Sequence, residues 1–308
     1  MNNDKVRNSL QTLLNRRLNA DGLAWFNATR ETISTGIDEA RFCQLIAQAS
    51  RYARRQPLLP TPEERRQSEL ALSGWDISEW NALETLRVAL VLARNDLAED
   101  SFAEAFERAF KYADEGEACA YYRAIAFLPN PQRFVWRAGE GCRSNMSSVF
   151  RAVACDNPYP VQYFDDIAWQ QLIMKAVFIG VPLWRIVGLD SRLSETITTM
   201  LLDYVDERTS AGRDIPADAW MLIGQHWSER AAQAVERALV GNTASRCAAA
   251  LALARAGQKA RLTQWLESEI RPAVRSSIHK AVSERNGDDI DAAVYQNILS
   301  ESNHYAVF

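Results

Sequence analysis

Polar side chains that could bind or convert a small molecule gather in one stretch of the sequence, from Gly139 to Arg192. Arg143 and Arg185 carry planar guanidinium groups, which can hold a carboxylate or a phosphate through two parallel hydrogen bonds. Lys175 lies in the middle of an apolar segment, where an ammonium group needs a partner or loses its proton. The candidate ligand-binding residues of this stretch are Glu140, Arg143, Asn145, Tyr159, Tyr163, Lys175, Arg185, Asp190 and Arg192.

The chemistry of these residues has a functional and a structural interpretation. Glu140 and Arg143 are predicted to share the start of a helix, where free N–H groups and the helix dipole favour an anion. Glu140 or Asp190 could serve as a general acid or base beside Lys175. In the structural alternative Lys175 extends its charged end to solvent, and the acids and arginines only connect loops. No catalytic residue is therefore assigned.

The segment Asp156-Asn157-Pro158-Tyr159-Pro160 is a second distinctive part of the same stretch. Two prolines in five residues argue against a helix, and two tyrosines close by are unusual for a plain linker. We predict a rigid loop here, which either holds two helices apart or presents Tyr159 and Tyr163 to a ligand.

Several well-known chemistries are missing from the sequence. The three histidines, His226, His279 and His304, lie far from the three- or four-residue spacing of a zinc-protease helix. The sequence also lacks the glycine-rich phosphate and dinucleotide motifs and the nucleophile motif of serine hydrolases. We accordingly predict no metal ion and no cofactor.

Composition indicates a globular protein that does not bind nucleic acid. Of 308 residues, 24% are charged and 47% hydrophobic, and the formal net charge of −4 is opposite to the basic surplus of a nucleic-acid binder. The local exception is an arginine cluster, which we interpret as a solvated helix face balanced by Glu63 and Glu64. The cluster consists of Arg51, Arg54, Arg55, Arg65 and Arg66.

The cysteines and the apolar segments predict a cytoplasmic location. The five cysteines are scattered without the paired spacing of a zinc site or a disulfide framework, so reduced thiols are expected. The N-terminal residues lack the apolar core of a signal peptide, and no stretch approaches the roughly 20 apolar residues of a membrane span.

Helical periodicity dominates the chain and predicts an all-α fold. Asp38 and Thr61 have the type and surroundings of helix N-caps, the latter with Glu64 as its capping-box partner. The helix beginning after Asp38 is predicted to reach about Arg55, and Ser101 is predicted to start a further capping box. The apolar segment that ends at Ile179 is predicted to be a central helix.

Short helices with short connections favour an irregular α-solenoid-like array of antiparallel pairs, of the HEAT or armadillo kind, with a globular helical bundle as the alternative. We predict one all-α domain over residues 1–282. Residues 283–308 are predicted to form a polar C-terminal tail that is partly disordered.

In the stretch from Gly139 to Arg192, and a little beyond it, the sequence resembles the EboA family. The resemblance is strongest over a signature region, residues 139–213, and consists of many matches in order. These matches are Glu140-Gly141-x-Arg143-Ser144-Asn145, Asn157-Pro158-Tyr159-Pro160, Tyr163-Phe164-Asp165, Trp169 through Lys175, Val177-Phe178-Ile179-Gly180, Pro182-Leu183, Gly188-Leu189-Asp190-x-Arg192, Asp203-Tyr204 and Glu207-Arg208.

The resemblance implies a role in metabolite traffic, within ebo-type gene clusters that serve the biosynthesis or export of a secondary metabolite. It implies a small metabolite as ligand and, as partners, other cluster proteins such as a membrane prenyltransferase and a TatD-like hydrolase. It carries over no catalytic residues.

Three functions follow as hypotheses. The first is a non-catalytic binding or scaffold protein of such a pathway. The second is an enzyme that acts on a small anionic, polyhydroxylated or prenylated metabolite with Glu140 or Asp190 and Lys175. The third is an adaptor for the membrane prenyltransferase, which would use the region from Arg51 to Arg66 or exposed tryptophans.

Overall fold

Helices form the regular structure of the described part of the chain. The computed structural model describes residues 3–224 and 226–283, and in this part of the chain no β-strand occurs. The α-helices of the described residues, α1 to α16 in chain order, are Asn3–Arg17, Ala20–Ser34, Glu39–Gln48, Pro62–Ala71, Ala82–Val91, Asp100–Ala109, Glu115–Ala124, Val135–Arg143, Ser147–Ala154, Tyr159–Tyr163, Asp166–Ile179, Glu195–Ser210, Glu229–Leu239, Thr243–Arg255, Lys259–Ser268 and Pro272–Ser283. The all-α prediction is confirmed, while the solenoid-like arrangement of the helices stays a prediction.

The chain divides into two compact units, Met1–Ala168 and Trp169–Phe308, and α11 contains the boundary. Each unit has a helix with a long buried segment. In the first unit every residue of α5 is buried, and α5 packs against α1 and α7. In the second unit residues 247–254 of α14 are buried, and α14 packs against α13 and α16. The predicted single domain over residues 1–282 stays a prediction.

Because α5 is buried on all sides, its charged side chains need partners inside the first unit. Arg123 of α7 donates from Nε to Glu84 of α5 at 2.6 Å. Arg87 of α5 donates to the Ile46 carbonyl and lies 3.3 Å from the Glu117 carboxylate of α7. One buried ion pair and one partly buried ion pair therefore connect α5 to α7.

Two of the predicted helix starts are confirmed. The carboxylate of Asp38 accepts a hydrogen bond from the backbone N–H of Arg41 at the start of α3. Thr61 and Glu64 form the reciprocal capping box of α4, with Pro62 as the first helical residue. These signals are reliable because both partners lie within four residues of each other.

Two further predictions about helix ends are wrong. The capping box at Ser101 does not form, because α6 already begins at Asp100 and the Ser101 hydroxyl points to Glu99. The helix after Asp38 does not reach Arg55, because α3 ends at Gln48 and a short 3-10 helix, Ala49–Arg51, closes it.

The central position predicted for α11 is also wrong. The helix buries one stripe, which includes Trp169 and Ile173, while Phe178 is 76% and Ile167 is 67% exposed. Apolar residues on every side of a helix indicate burial only where neighbouring elements cover every side.

The segment from Asn157 to Pro160 is partly helical, contrary to the predicted loop. Tyr159 begins the short helix α10. The backbone N–H of Tyr159 donates a hydrogen bond to the side-chain oxygen of Asn157 at 3.0 Å. Pro160 is tolerated because the first turn of a helix has no intrahelical use for its backbone N–H.

The five arginines of the predicted solvated face are all exposed, but they do not share one helix. Only Arg65 and Arg66 lie on α4, where Arg66 pairs with Glu63 at 2.7 Å. Glu64 is instead buried against α1. The predicted polar tail, residues 283–308, lies outside the described residues except for Ser283, the last residue of α16.

Candidate functional site

The nine candidate residues of the sequence divide between the two units. The first unit holds Glu140, Arg143, Asn145, Tyr159 and Tyr163, and the second holds Lys175, Arg185, Asp190 and Arg192. In the first unit Glu140 pairs with Arg143, and the ring of Tyr163 contacts that of Tyr159. In the second unit Asp190 and Arg192 contact residues other than the candidates. The gathering of the nine candidates into a single ligand site stays a prediction.

Glu140 and Arg143 lie at the end of a helix, and the predicted helix start at these residues is wrong. Both belong to the last turn of α8, where they form an ion pair on the surface. The C-terminal end of a helix carries carbonyl groups and the negative end of the dipole, so it does not favour an anion. Asn145 follows in the exposed connection to α9.

The glycine of this motif has a packing role. A Cβ atom on Gly141 would lie 2.7 Å from Tyr122 of α7 and 2.7 Å from Val153 of α9. Real Cβ contacts are not that short, so only glycine lets α8 approach both helices this closely.

Tyr159 is a structural residue. Its side chain is 1% exposed, and its hydroxyl donates to the Pro131 carbonyl at 2.6 Å. Burial raises the pKa of the phenol, so it keeps its proton. Tyr163 is half-buried and its ring centroid lies 4.9 Å from that of Tyr159. Of the two tyrosines, only Tyr163 is open to a ligand.

The four candidates of the second unit are engaged with neighbouring groups. Asp190 forms an ion pair with Arg255 of α14. The guanidinium of Arg192 lies 4.9 Å from the ring centroid of Trp169, at cation–π distance. Lys175 and Arg185 are half-buried, and both interact with other groups of the protein.

A cavity outside the nine candidates lies between α1 and α4 in the first unit. Its volume is about 480 Å³, within the range of small-molecule sites. One wall is a polar stripe of α1, in which Lys5, Ser9, Thr12 and Arg16 recur at helical spacing. The apolar part of the lining, called the floor below, consists of Leu13 of α1 with Leu70 and Ala71 of α4; Leu13 is buried, and Leu70 is exposed.

The carboxylates of this cavity are held in their charged form. Hydrogen bonds from Arg17, together with one from the Thr61 N–H, outweigh burial and lower the pKa of Glu64 to about 2. Hydrogen bonds from Arg66 and Gln67 lower the pKa of Glu63 to about 2. Both carboxylates are therefore ionised and already paired at neutral pH.

This cavity could be found in the sequence only by reading two helices together. The α1 stripe and its counterpart on α4, Glu63, Gln67 and Leu70, each resemble an ordinary solvated helix face. Neither stripe indicates a site until packing brings them to opposite walls. The helical spacing of the polar residues was the available signal in the sequence. It falls on two helices, α1 and α4, and about 45 residues lie between the end of the first and the start of the second.

The second unit contains two further cavities. One, of about 440 Å³, lies between α13 and α15 and is lined by Trp265 and by an Arg261–Glu236 ion pair at 3.2 Å. The other, of about 350 Å³, is lined by His226 and Arg230. Both are smaller than the α1–α4 cavity. Among the described residues, no three His, Cys, Asp or Glu side chains gather so as to hold a metal ion.

The comparison with protein families gives one result. A family described as metabolite traffic protein EboA matches residues 6–224, more than two thirds of the chain and all but one lining residue of the α1–α4 cavity. Neither the comparison with curated proteins nor the one with solved structures gives a match. No helix in the described part of the chain combines the length and the apolar character that crossing a membrane requires.

Proposed function

The chain belongs to the EboA family, and from this premise we propose that it is a non-catalytic binding protein that holds a small metabolite between α1 and α4. The proposal places it in the cytoplasm, in an ebo-type pathway for the biosynthesis or export of a secondary metabolite. The observation that carries the proposal is the α1–α4 cavity, which combines an apolar floor with converging polar groups.

The walls of the cavity are firmly connected, which favours binding of a ligand without a large rearrangement. Glu64 of α4 accepts hydrogen bonds from Arg17 at 2.8 and 2.9 Å and from Arg16 at 3.1 Å. These bonds tie the C-terminal turn of α1 to the first turn of α4. A preformed cavity loses little conformational entropy when a ligand enters.

Filling the floor of the cavity tests the proposal. Ala71 lines the floor, and in Ala71→Trp an indole ring would occupy the ligand volume. Ala28, exposed on α2 and outside the cavity, offers a matched control as Ala28→Trp. The assay is ligand-observed NMR of the full chain with sugars, sugar phosphates and hydroxy acids, together with thermal unfolding of each variant.

We expect saturable binding to the wild type and to Ala28→Trp, and at least a tenfold loss in Ala71→Trp with an unchanged unfolding temperature. Equal binding by a folded Ala71→Trp variant, or no binding of any probe to the wild type, would refute the proposal. Chemical conversion of a probe during the NMR experiment would favour the enzyme alternative. That alternative needs Glu140 or Asp190 to release its arginine partner before it can transfer a proton.

An adaptor role is the second candidate, and the exposure of Trp136 favours it. This α8 side chain is 63% exposed, and the guanidinium of Arg137 lies 4.8 Å from its ring centroid. Exposed tryptophans are common anchors of protein interfaces. Under this candidate, Trp136→Ala weakens binding to the membrane prenyltransferase of the same gene cluster, measured by co-purification of the two proteins. Unchanged co-purification would count against it.

A further inference from the structure

We infer that the α1–α4 cavity selects a hydroxylated organic anion, a hydroxycarboxylate or a sugar phosphate, and that Lys5 provides the selectivity. This inference rests on the proposed function, because it specifies the ligand of the same cavity. Its evidence is the hydrogen-bonding state of the α1 wall, the charge balance around the cavity and the apolar floor.

Three polar side chains of the α1 wall have no polar partner in the described part of the chain. Lys5, Asn8 and Ser9 line the cavity, and their side chains make no hydrogen bond or ion pair with any residue that the structure describes. They occupy adjacent positions on one helix face, three and four residues from Lys5. An ammonium, an amide and a hydroxyl therefore face the same volume with their donors and acceptors free. Hydroxyl groups of a ligand can pair with all three.

The charges around the cavity leave a positive excess. Glu64 forms an ion pair with Arg17, and Glu63 forms one with Arg66. The neighbouring carboxylate of α1, Asp4, does not line the cavity and lies 3.8 Å from Arg7. Counted with their ion-pair partners, the charged lining residues comprise four cations and two carboxylates. The cations are Lys5, Arg16, Arg17 and Arg66, and the carboxylates are Glu63 and Glu64.

This local excess is opposite in sign to the whole chain, whose formal net charge is −4. The lining itself carries two cations, Lys5 and Arg16, and two carboxylates, so the excess comes from Arg17 and Arg66 outside the lining. A local positive excess attracts anionic ligands. Lys5 is the cation of the group without a carboxylate partner in the described structure, so its ammonium is available for an anionic group. Arg16 contributes attraction but is already bonded to Glu64.

The floor excludes a purely inorganic anion as the best occupant. Leu13, Leu70 and Ala71 offer carbon surface, which the carbon skeleton of a ligand can cover and remove from water. A small phosphate or sulfate ion would leave this surface wet. The ligand that satisfies all three features has an anionic group, several hydroxyls and a carbon skeleton.

Gluconate and glucose test the charge selectivity, because they share a six-carbon hydroxylated skeleton and differ in charge. Their affinities are measured by ligand-observed NMR on the full chain at an ionic strength of about 0.01 M and again at about 0.15 M, where the screening length falls from about 30 Å to about 8 Å. The variants are Lys5→Gln and, as control with the same change of net charge, Lys111→Gln at an exposed site outside the cavity.

We expect gluconate to bind the wild type about three- to fivefold more tightly than glucose at low ionic strength, the magnitude of one solvent-accessible ion pair. Lys5→Gln removes this preference, Lys111→Gln keeps it, and salt reduces it. If glucose binds as tightly as gluconate, or if Lys5→Gln keeps the preference, the inference is wrong and the proposed function stands. If neither compound binds, and sugar phosphates and other hydroxy acids fail as well, both are wrong.

Discussion

Arg123 donates a hydrogen bond to Glu84 at 2.6 Å, and its guanidinium lies 5.0 Å from the ring centroid of Trp80. Both charged side chains are buried, between α5 and α7. Removing the cation alone leaves a carboxylate inside the protein without its charge partner. We therefore expect Arg123→Met to lower the free energy of unfolding by about 3–5 kcal/mol.

The measurement is urea unfolding of the wild type, Arg123→Met and the double variant that also carries Glu84→Met. Replacing both partners removes the buried charge, so the double variant is expected to be more stable than Arg123→Met. A double variant that is less stable than the single one would contradict this account of the pair.

The two glycines of α8 allow a matched test of close packing. In Gly141→Ala the new methyl group meets Tyr122 and Val153 at 2.7 Å, which we expect to cost about 1–3 kcal/mol of stability. In Gly139→Ala the nearest atom, a nitrogen of the flexible Arg143 side chain, is 3.7 Å away. That change should leave stability equal or raise it by about 0.5–1 kcal/mol. Chemical unfolding of both variants measures the two changes in stability. Equal changes in the free energy of unfolding would rule out the packing role of Gly141.

Tyr159 and Tyr163 allow a similar comparison of a structural and an open tyrosine. Tyr159→Phe removes the hydroxyl that donates to the Pro131 carbonyl, with an expected loss of about 0.5–1.5 kcal/mol. The Tyr163 hydroxyl makes no hydrogen bond in the described part of the chain, so Tyr163→Phe should leave stability unchanged. Thermal unfolding of the two variants tests this, and a larger loss in Tyr163→Phe would reverse the assignment.

Glu64 should make the free energy of unfolding depend on pH in the acidic range. Its folded-state pKa of about 2 lies below the ordinary value of 4.5, so the unfolded chain takes up the proton first as the pH falls. The contribution of Glu64 is complete above about pH 4.5 and is lost as the pH falls towards 2. We expect Glu64→Gln to be less stable than the wild type at pH 7, with the difference shrinking over that window.

The control for this prediction is Glu79→Gln, because Glu79 is exposed and has no ion pair among the described residues. Unfolding curves at several pH values between 7 and 2 give the comparison. A difference between Glu64→Gln and wild type that stays constant across the window would show that the ion pair with Arg17 does not depress the pKa.

Much of the local helical structure could be predicted from the sequence. The caps at Asp38 and Thr61 were predictable because each bond joins residues three positions apart. The failure at α8 has a physical reason in Gly141, which a helix interior ordinarily disfavours and which α8 requires for its approach to Tyr122. Without that contact, the stretch around Glu140 resembles a loop before a helix start.

The sequence by itself determined the all-α fold and the family, because helical periodicity, caps and ordered motifs are properties of neighbouring residues. Only the tertiary structure decided which helix is buried. Charged α5 is enclosed, since α7 supplies Arg123 and Glu117 as partners, whereas apolar α11 leaves Phe178 in solvent. It also decided that the polar faces of α1 and α4 enclose a cavity. Such contacts join residues far apart in the chain, and the pattern within one helix carries no information about its neighbour.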